Sequence, residues 1–404
     1  MIEADRARRS LELRYIQLYF WIYCLMCLNG TYLNLFLKRE SGLTGTQIGF
    51  LSGSLSAAGV ILTPLIGLRF DASRRRPAFL SNLALLAGLA FCLYMLPVPW
   101  YALIPVAVLF ACGWLPIVPL NDSIANTEQV TGASRHGYGG YRRWGTVGFA
   151  LAGGLSGQLT GAFGLRAAFV AYALCALMVA WLMRGIPRRV AEHVPAAGRP
   201  GGEIAPRVPR FADVVELARL PGLRRFLMVT LLSSVGASSC YAFRSIYLSS
   251  IGMSDRAIGM LWLLIIPGEV VCFTLAARWQ KRWGTGPLVM TGLVLAGTRW
   301  ILLGYAQLPA LYLVELLHGV GFAVYWPSAV KFVQDSAPHR LRGTAQILFF
   351  STAAGIGNAI GPAIAGRVYD LFGMRPVLWF GGSLLILSGV LQVAFVRHPA
   401  PARA

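Results

Sequence analysis

Apolar runs of about twenty residues dominate this chain, and each is long enough to cross a lipid bilayer as a helix. Twelve such runs fall at 15–37, 47–68, 78–97, 101–124, 141–162, 166–184, 223–248, 256–277, 286–305, 308–332, 343–365 and 374–396. Inside a bilayer only helices and closed barrels satisfy every backbone polar group. Continuous apolar runs, unlike ten-residue alternating segments, select helices. The expected fold is therefore all-α and integral to the membrane, with twelve transmembrane helices. Composition agrees. Only 13% of the 404 residues are charged and 56% are hydrophobic, whereas a soluble domain carries about 25% charge. A soluble enzyme, a DNA-binding factor and a disordered chain are excluded on that ground.

The formal net charge is nevertheless +20. With an internal N-terminus, 28 of the 36 Lys and Arg residues fall in inner segments, six in outer segments and two, Arg244 and Arg299, inside helices. This is the positive-inside asymmetry. It predicts cytoplasmic N- and C-termini in a multi-pass protein of the inner membrane, and nucleic acid is not needed as a partner. The longest polar stretch, 186–222, is rich in Pro, Gly and Arg and reads as a cytoplasmic linker, with a short amphipathic helix at 211–219. The expected organisation is an N-tail (1–14), a six-helix bundle (15–185), the linker, a second six-helix bundle (223–396) and a C-tail (397–404). Residues 15–37 are too long for a signal-peptide core, so no cleaved leader is expected. All seven cysteines lie in apolar runs. Cys24 and Cys27 have the C-x-x-C spacing, but on a spanning helix they read as packing residues.

The halves repeat each other. Gly42/Gly252 and Gly49/Gly259 align at an offset of 210, and Gly148/Gly357, Gly157/Gly366 and Gly164/Gly373 at 209. Parallel six-helix repeats describe one known transporter architecture, whose solute site lies near mid-membrane. Between the second and third helices runs Gly67-Leu-Arg-Phe-Asp71-Ala-Ser-Arg74-Arg75-Arg76. This loop resembles the G-x-x-x-D-[RK]-x-G-R-[RK] signature of the major facilitator superfamily, with Ala72 and Ser73 as departures. Gly67, Asp71, Arg74 and Arg75 are then expected to form a conformational latch. Gly67 would permit close helix packing while the acid and the basic cluster hold two helix ends.

Ionisable residues persist inside the spans: Asp122, Arg244, Glu269, Arg299, Glu315 and His318, with Arg142 just inside the fifth. Unpaired, six such groups would cost on the order of 15 kcal/mol on an insertion scale, so they must face one another or a watery cavity. Glu315 and His318 are three apart and share a helix face. Arg244 and Glu315 are the natural complementary pair. Asp122 and Arg142 flank the turn between the fourth and fifth spans. Tyr241, Phe243, Trp262, Trp300, Tyr325 and Trp326 enrich the same region in aromatic rings. Helix breaks are expected at Pro267-Gly268, at Pro327, and around Pro116 and Pro119. A carboxylate in a low-dielectric cavity takes up a proton unless a cation holds it charged. Movement of Arg299 or His318 relative to Glu269 would therefore couple protonation to conformation, reciprocally with solute binding. No third or fourth ligand accompanies the Glu315–His318 spacing, so no metal is expected. No cofactor is implied.

PLNDSIANT (119–127), YGGYRRWGTVGF (138–149), Gly268-Glu269, Arg299-Trp300 and LLHGVGFAVYW (316–326) together look like the 3-phenylpropionate transporter group. That group is related to lactose permease in the oligosaccharide–proton symporter branch. The resemblance implies that Asp122 and Arg142 bind solute and that Phe149 stands where the permease stacks sugar on tryptophan. It implies coupling roles for Glu269, Arg299 and His318. Gly321 stands where the permease carries a second carboxylate, and Arg244 with Glu315 reverses the order of its charged pair. Expected solute contacts are Asp122, Arg142, Phe149, Arg299, Trp300, Tyr325 and Trp326. Expected proton-coupling residues are Glu269, His318, Arg299, Glu315 and Arg244.

The reading is a proton-coupled symporter of a small organic solute, an aromatic carboxylate before a nucleoside or sugar. Its partners are that solute, protons and the bilayer, and a monomer is expected to suffice. An efflux facilitator and a transport-dead sensor are the alternatives. A membrane-embedded enzyme is not expected, because neither a HExxH pattern nor a G-x-S-x-G elbow occurs.

Overall fold

A computed structural model describes residues 2–130, 138–186 and 211–395. The central part of the expected linker and the C-tail (397–404) lie outside these residues. Among the described residues every regular element is helical. In chain order the helices are α1 (Ile2–Arg39), α2 (Gly45–Ala72), α3 (Arg76–Leu93), α4 (Leu103–Trp114), α5 (Ile117–Val130), α6 (Tyr138–Phe163) and α7 (Arg166–Arg184). They continue with α8 (Phe211–Arg219), α9 (Pro221–Ser250), α10 (Asp255–Trp283), α11 (Thr285–Leu303), α12 (Ala310–Ser336), α13 (Arg342–Phe350), α14 (Gly357–Phe372) and α15 (Met374–Phe395). α8 is the short helix expected at 211–219.

Among the described residues, eleven helical segments are long and apolar enough to cross a membrane. The run at 141–162 is not among them, although it forms the 26-residue α6. Its low hydropathy has a packing cause: glycines occupy the positions where α6 meets α1 and the start of α10. A Cβ on Gly145 would lie 2.6 Å from the Tyr23 ring, and one on Gly148 would strike the backbone of Phe20. Small residues let helices approach where lipid supplies no hydrophobic drive to associate. Outward-facing side chains such as Leu155, Leu174 and Leu313 are largely exposed, the reverse of a water-soluble surface.

The expected breaks form at only one of three places. Pro116 separates α4 from α5, but α10 and α12 run unbroken through Pro267 and Pro327. A proline removes one hydrogen bond to the preceding turn, and neighbouring helices hold the rest of the ladder in place. The irregularity in the C-terminal part lies elsewhere, as a π-helical turn at Ser351–Ile356 between α13 and α14.

The chain divides into two compact units. One comprises residues 1–43, 58–205 and 248–263; the other comprises 44–57, 206–247 and 264–404. Two segments thus cross the six-plus-six division expected from the linker: the first turns of α2, and the α9–α10 junction.

In the first unit, Phe91 of α3 stacks on Phe169 and Tyr172 of α7, with ring centroids 4.6 and 4.1 Å apart. In this unit the start of α10 also crosses α6. A Cβ on Gly259 would lie 2.5 Å from the Gly153 carbonyl, and one on Gly157 would lie 2.6 Å from the Arg256 carbonyl. Arg39 at the end of α1 donates to Asp255 at 2.6 Å.

In the second unit, α9 meets α14 through Ser238 and Ser239, whose hydroxyls donate to the Gly357 and Gly361 carbonyls at 3.0 and 2.9 Å. The start of α2 crosses α14 in the same way as α10 crosses α6, with Gly49 against Pro362 and Gly366 against Gly45. The Asp370 carboxylate accepts from the backbone N–H groups of Gly45 and Thr46, each at 2.7 Å.

Each glycine pair of the repeat therefore has one job in both units. Gly49/Gly259 and Gly157/Gly366 lie at helix crossings. Gly42/Gly252 and Gly164/Gly373 adopt φ between +66° and +88° after a helix end, a conformation that side chains with a Cβ resist.

Candidate functional site

α1 positions the polar residues of the first unit. Tyr19 donates to Asp122 on α5 at 2.6 Å, and the Arg142 guanidinium on α6 lies over the Tyr23 ring, 4.3 Å from its centroid. Tyr19 and Tyr23 are one turn apart, so the acid and the base line the same face of α1. Tyr19 also stacks on Tyr141 with an interplanar angle of 8°. The expectations named Asp122 and Arg142 but not these tyrosines. The signal was present as Tyr15, Tyr19 and Tyr23 at four-residue spacing. Phe149 packs edge-on against Trp262, centroids 4.9 Å apart, and Trp262 in turn donates its indole N–H to Thr31 at 3.0 Å. In this conformation the Phe149 ring is engaged by protein.

The second unit buries a charge cluster. Glu315 on α12 has no exposed surface. Its Oε1 accepts from Arg244 Nε of α9 at 3.0 Å, and its Oε2 accepts from Arg299 Nη1 of α11 at 2.8 Å. Three helices are thus tied by one carboxylate. Arg299 is 1% exposed. Its guanidinium stacks 3.7 Å from the centroid of Trp300, while its Nε and Nη2 are buried without a hydrogen-bond partner. Those two atoms form one edge of the guanidinium, the fork that takes a carboxylate in bidentate fashion.

Tyr241 covers this cluster. It is 38% exposed, its ring stands edge-on to Trp300 at 5.0 Å, and its hydroxyl shares a 2.9 Å hydrogen bond with His318 Nδ1. The α10–α12 crossing falls beside His318, where a Cβ on Gly319 would lie 2.7 Å from the backbone nitrogen of Glu269. Glu269 and His318 are thereby brought to one crossing. Gly321 faces α11, where an added Cβ would lie 3.3 Å from both Ala296 N and the Gly292 carbonyl. A carboxylate side chain there would enter a helix–helix contact, which accounts for its absence. Trp300 is 1% exposed and serves as the platform under Arg299. Tyr325 packs on Gly292, and Trp326 stacks on Phe322 at 5.8 Å.

In the loop expected to act as a latch, Asp71 is engaged by Arg76. A Cβ on Gly67 would meet open space, so this glycine does not mediate close packing. Arg74 and Arg75 are exposed, and the cation that engages Asp71 is Arg76. Arg76 is buried at the first position of α3 and donates to the Asp71 carbonyl at 3.1 Å, with its carboxylate 3.7 Å away. The guanidinium rests over Phe70, which gives it a buried seat that the two preceding arginines lack.

Bonded charges buried among membrane-spanning helices mark a candidate functional site, and the family and curated relatives are solute transporters, not enzymes. No cluster of potential metal ligands occurs among the described residues. The chain belongs to the MFS_1-like family, which residues 13–380 match. It is 30% identical to a probable 3-phenylpropionic acid transporter of Escherichia coli K12 over 344 residues, covering 84% of this chain and 86% of the relative. It is 26% identical to a maltose permease of Geobacillus stearothermophilus, covering 92% and 91%. The nucleoside transporter NupG superposes with a TM-score of 0.81 at 18% identity, covering 96% of this chain and all of that one. That likeness shows the major facilitator fold.

Proposed function

We propose that the protein is a proton-coupled symporter that moves a small aromatic carboxylate across the inner membrane by alternating access, with both termini cytoplasmic. The observation that carries this reading is Arg299. It is fixed on one side by Glu315 and Trp300 and keeps a bidentate donor edge unsatisfied. A solute carboxylate docks on that edge. Tyr241 swings aside to admit it, which breaks the bond to His318 and exposes the imidazole to a proton. Glu269, at the same helix crossing, carries the coupled proton. In the first unit, Asp122 and Arg142 on the α1 side form a separate solute-contacting set. The similarity to a probable 3-phenylpropionic acid transporter supports the same solute class.

A sugar or nucleoside is the second reading, favoured by the Asp122–Tyr19 pair as a hydroxyl-binding set and by the maltose permease similarity. Uptake of labelled aromatic acids, nucleosides and sugars into proteoliposomes, with and without a pH gradient, tests both. Gradient-driven uptake restricted to aromatic acids supports the first reading, and uptake restricted to neutral solutes overturns it.

A further inference from the structure

On another face of the second unit, α10, α11 and α12 enclose an open groove of about 500 Å³. Trp279 and Trp283 of α10 form one wall, their rings stacked at 6.1 Å with an interplanar angle of 26°. Along α11 the groove runs from Pro287 to Leu295, about 12 Å at 1.5 Å per residue. Val320 and Val324 of α12 close its floor, and Thr291 supplies its one hydroxyl. Such a slot accepts hydrocarbon and offers almost nothing to a polar solute.

Its mouth is basic. Arg278, Lys281 and Arg282 lie in the last turns of α10, all exposed; Arg278 and Arg282, one turn apart, flank the tryptophan wall, and Lys281 points away from it. Among the described residues none of the three makes an ion pair. The Arg282 guanidinium stands 5.6 Å from the Trp283 ring centroid, so the cationic rim and the apolar wall share a residue contact. Stacked tryptophans beside uncompensated cations at the end of a spanning helix match the interfacial layer of a bilayer. Cations there attract anionic headgroups.

We propose that this groove is a binding site for an anionic phospholipid, with one acyl chain along Pro287–Leu295 and the phosphate on Arg278 and Arg282. The test uses the full chain reconstituted into vesicles containing phosphatidylglycerol or phosphatidylcholine with identical brominated chains at equal mole fraction. Quenching of Trp279 and Trp283 is read as the difference between the wild type and a W279F/W283F variant. The account expects phosphatidylglycerol to be enriched at this tryptophan pair on the order of tenfold, the preference that two basic groups confer on an anionic headgroup. That excess disappears in R278Q/R282Q and persists in R219Q/R224Q, which removes two exposed cations elsewhere. Equal quenching by both lipids, an excess that survives R278Q/R282Q, or an equal loss in R219Q/R224Q each overturns the proposal.

Discussion

Arg299 donates to Glu315 at 2.8 Å through one end of its guanidinium, while the opposite edge of the same group is buried and unsatisfied. Arg244 holds the other oxygen of Glu315, so removing the carboxylate strands two cations. Breaking a buried ion pair from one side costs on the order of 3–5 kcal/mol. Glu315→Gln should therefore lower the thermal unfolding temperature in detergent sharply. The double variant R244Q/E315Q removes one charge of each sign, leaves the local charge balance unchanged, and should recover most of that loss. If the double variant is as unstable as Glu315→Gln alone, Arg244 and Glu315 do not act as a pair.

Tyr19 is the partner of Asp122 that the motif comparison did not supply. A hydrogen bond to a charged group contributes about 1.5 kcal/mol or more, which corresponds to roughly tenfold in binding. Tyr19→Phe should raise KM for uptake by that factor with little change in maximal rate, since the ring and its stacking on Tyr141 remain. An unchanged KM would remove Asp122 from the solute site.

Asp370 caps the start of α2 from α14, and Ile48, one turn further along, is fully buried. Loss of a helix cap costs about 1 kcal/mol. Asp370→Ala should therefore speed maleimide labelling of an Ile48→Cys reporter by about fivefold, in proportion to the population of the open form. Labelling at an unchanged rate would show that α2 is held by its glycine contacts alone.

Much of this architecture was legible in the sequence because membrane insertion leaves few solutions. Length and hydropathy placed the spans, and most helix ends lie within two turns of the expected runs, although α1 reaches back to Ile2 from an expected start at 15. The exception in hydropathy was α6, whose glycines serve its contacts with α1 and the start of α10. The repeat glycines were visible as a pattern, but their two physical roles, close crossing and left-handed backbone, needed coordinates. The Arg244–Glu315 pair followed from charge complementarity between two spans. Arg299 as the second partner of Glu315 did not, since helix rotation about its axis is not encoded in spacing alone. The latch shows the same limit. Three consecutive arginines look equivalent in sequence, and only the turn into α3 selects Arg76.

Glu269 lies at the α10–α12 crossing beside His318 and is assigned the coupled proton. Glu269→Gln mimics the protonated side chain permanently. It should abolish accumulation driven by a pH gradient yet preserve equilibrium exchange of solute across the vesicle membrane. Retained uphill transport would show that another group carries the proton.

The central claim is that Arg299 receives a solute carboxylate in exchange with a proton gradient. Its most direct test compares 3-phenylpropionate with its amide in proteoliposomes carrying an acid-outside gradient. The account predicts accumulation of the acid, collapse of that accumulation when a protonophore is added or Arg299 is changed to Gln, and no accumulation of the amide. Equal accumulation of both compounds by the wild type, or accumulation of the acid unaffected by Arg299→Gln, would contradict it.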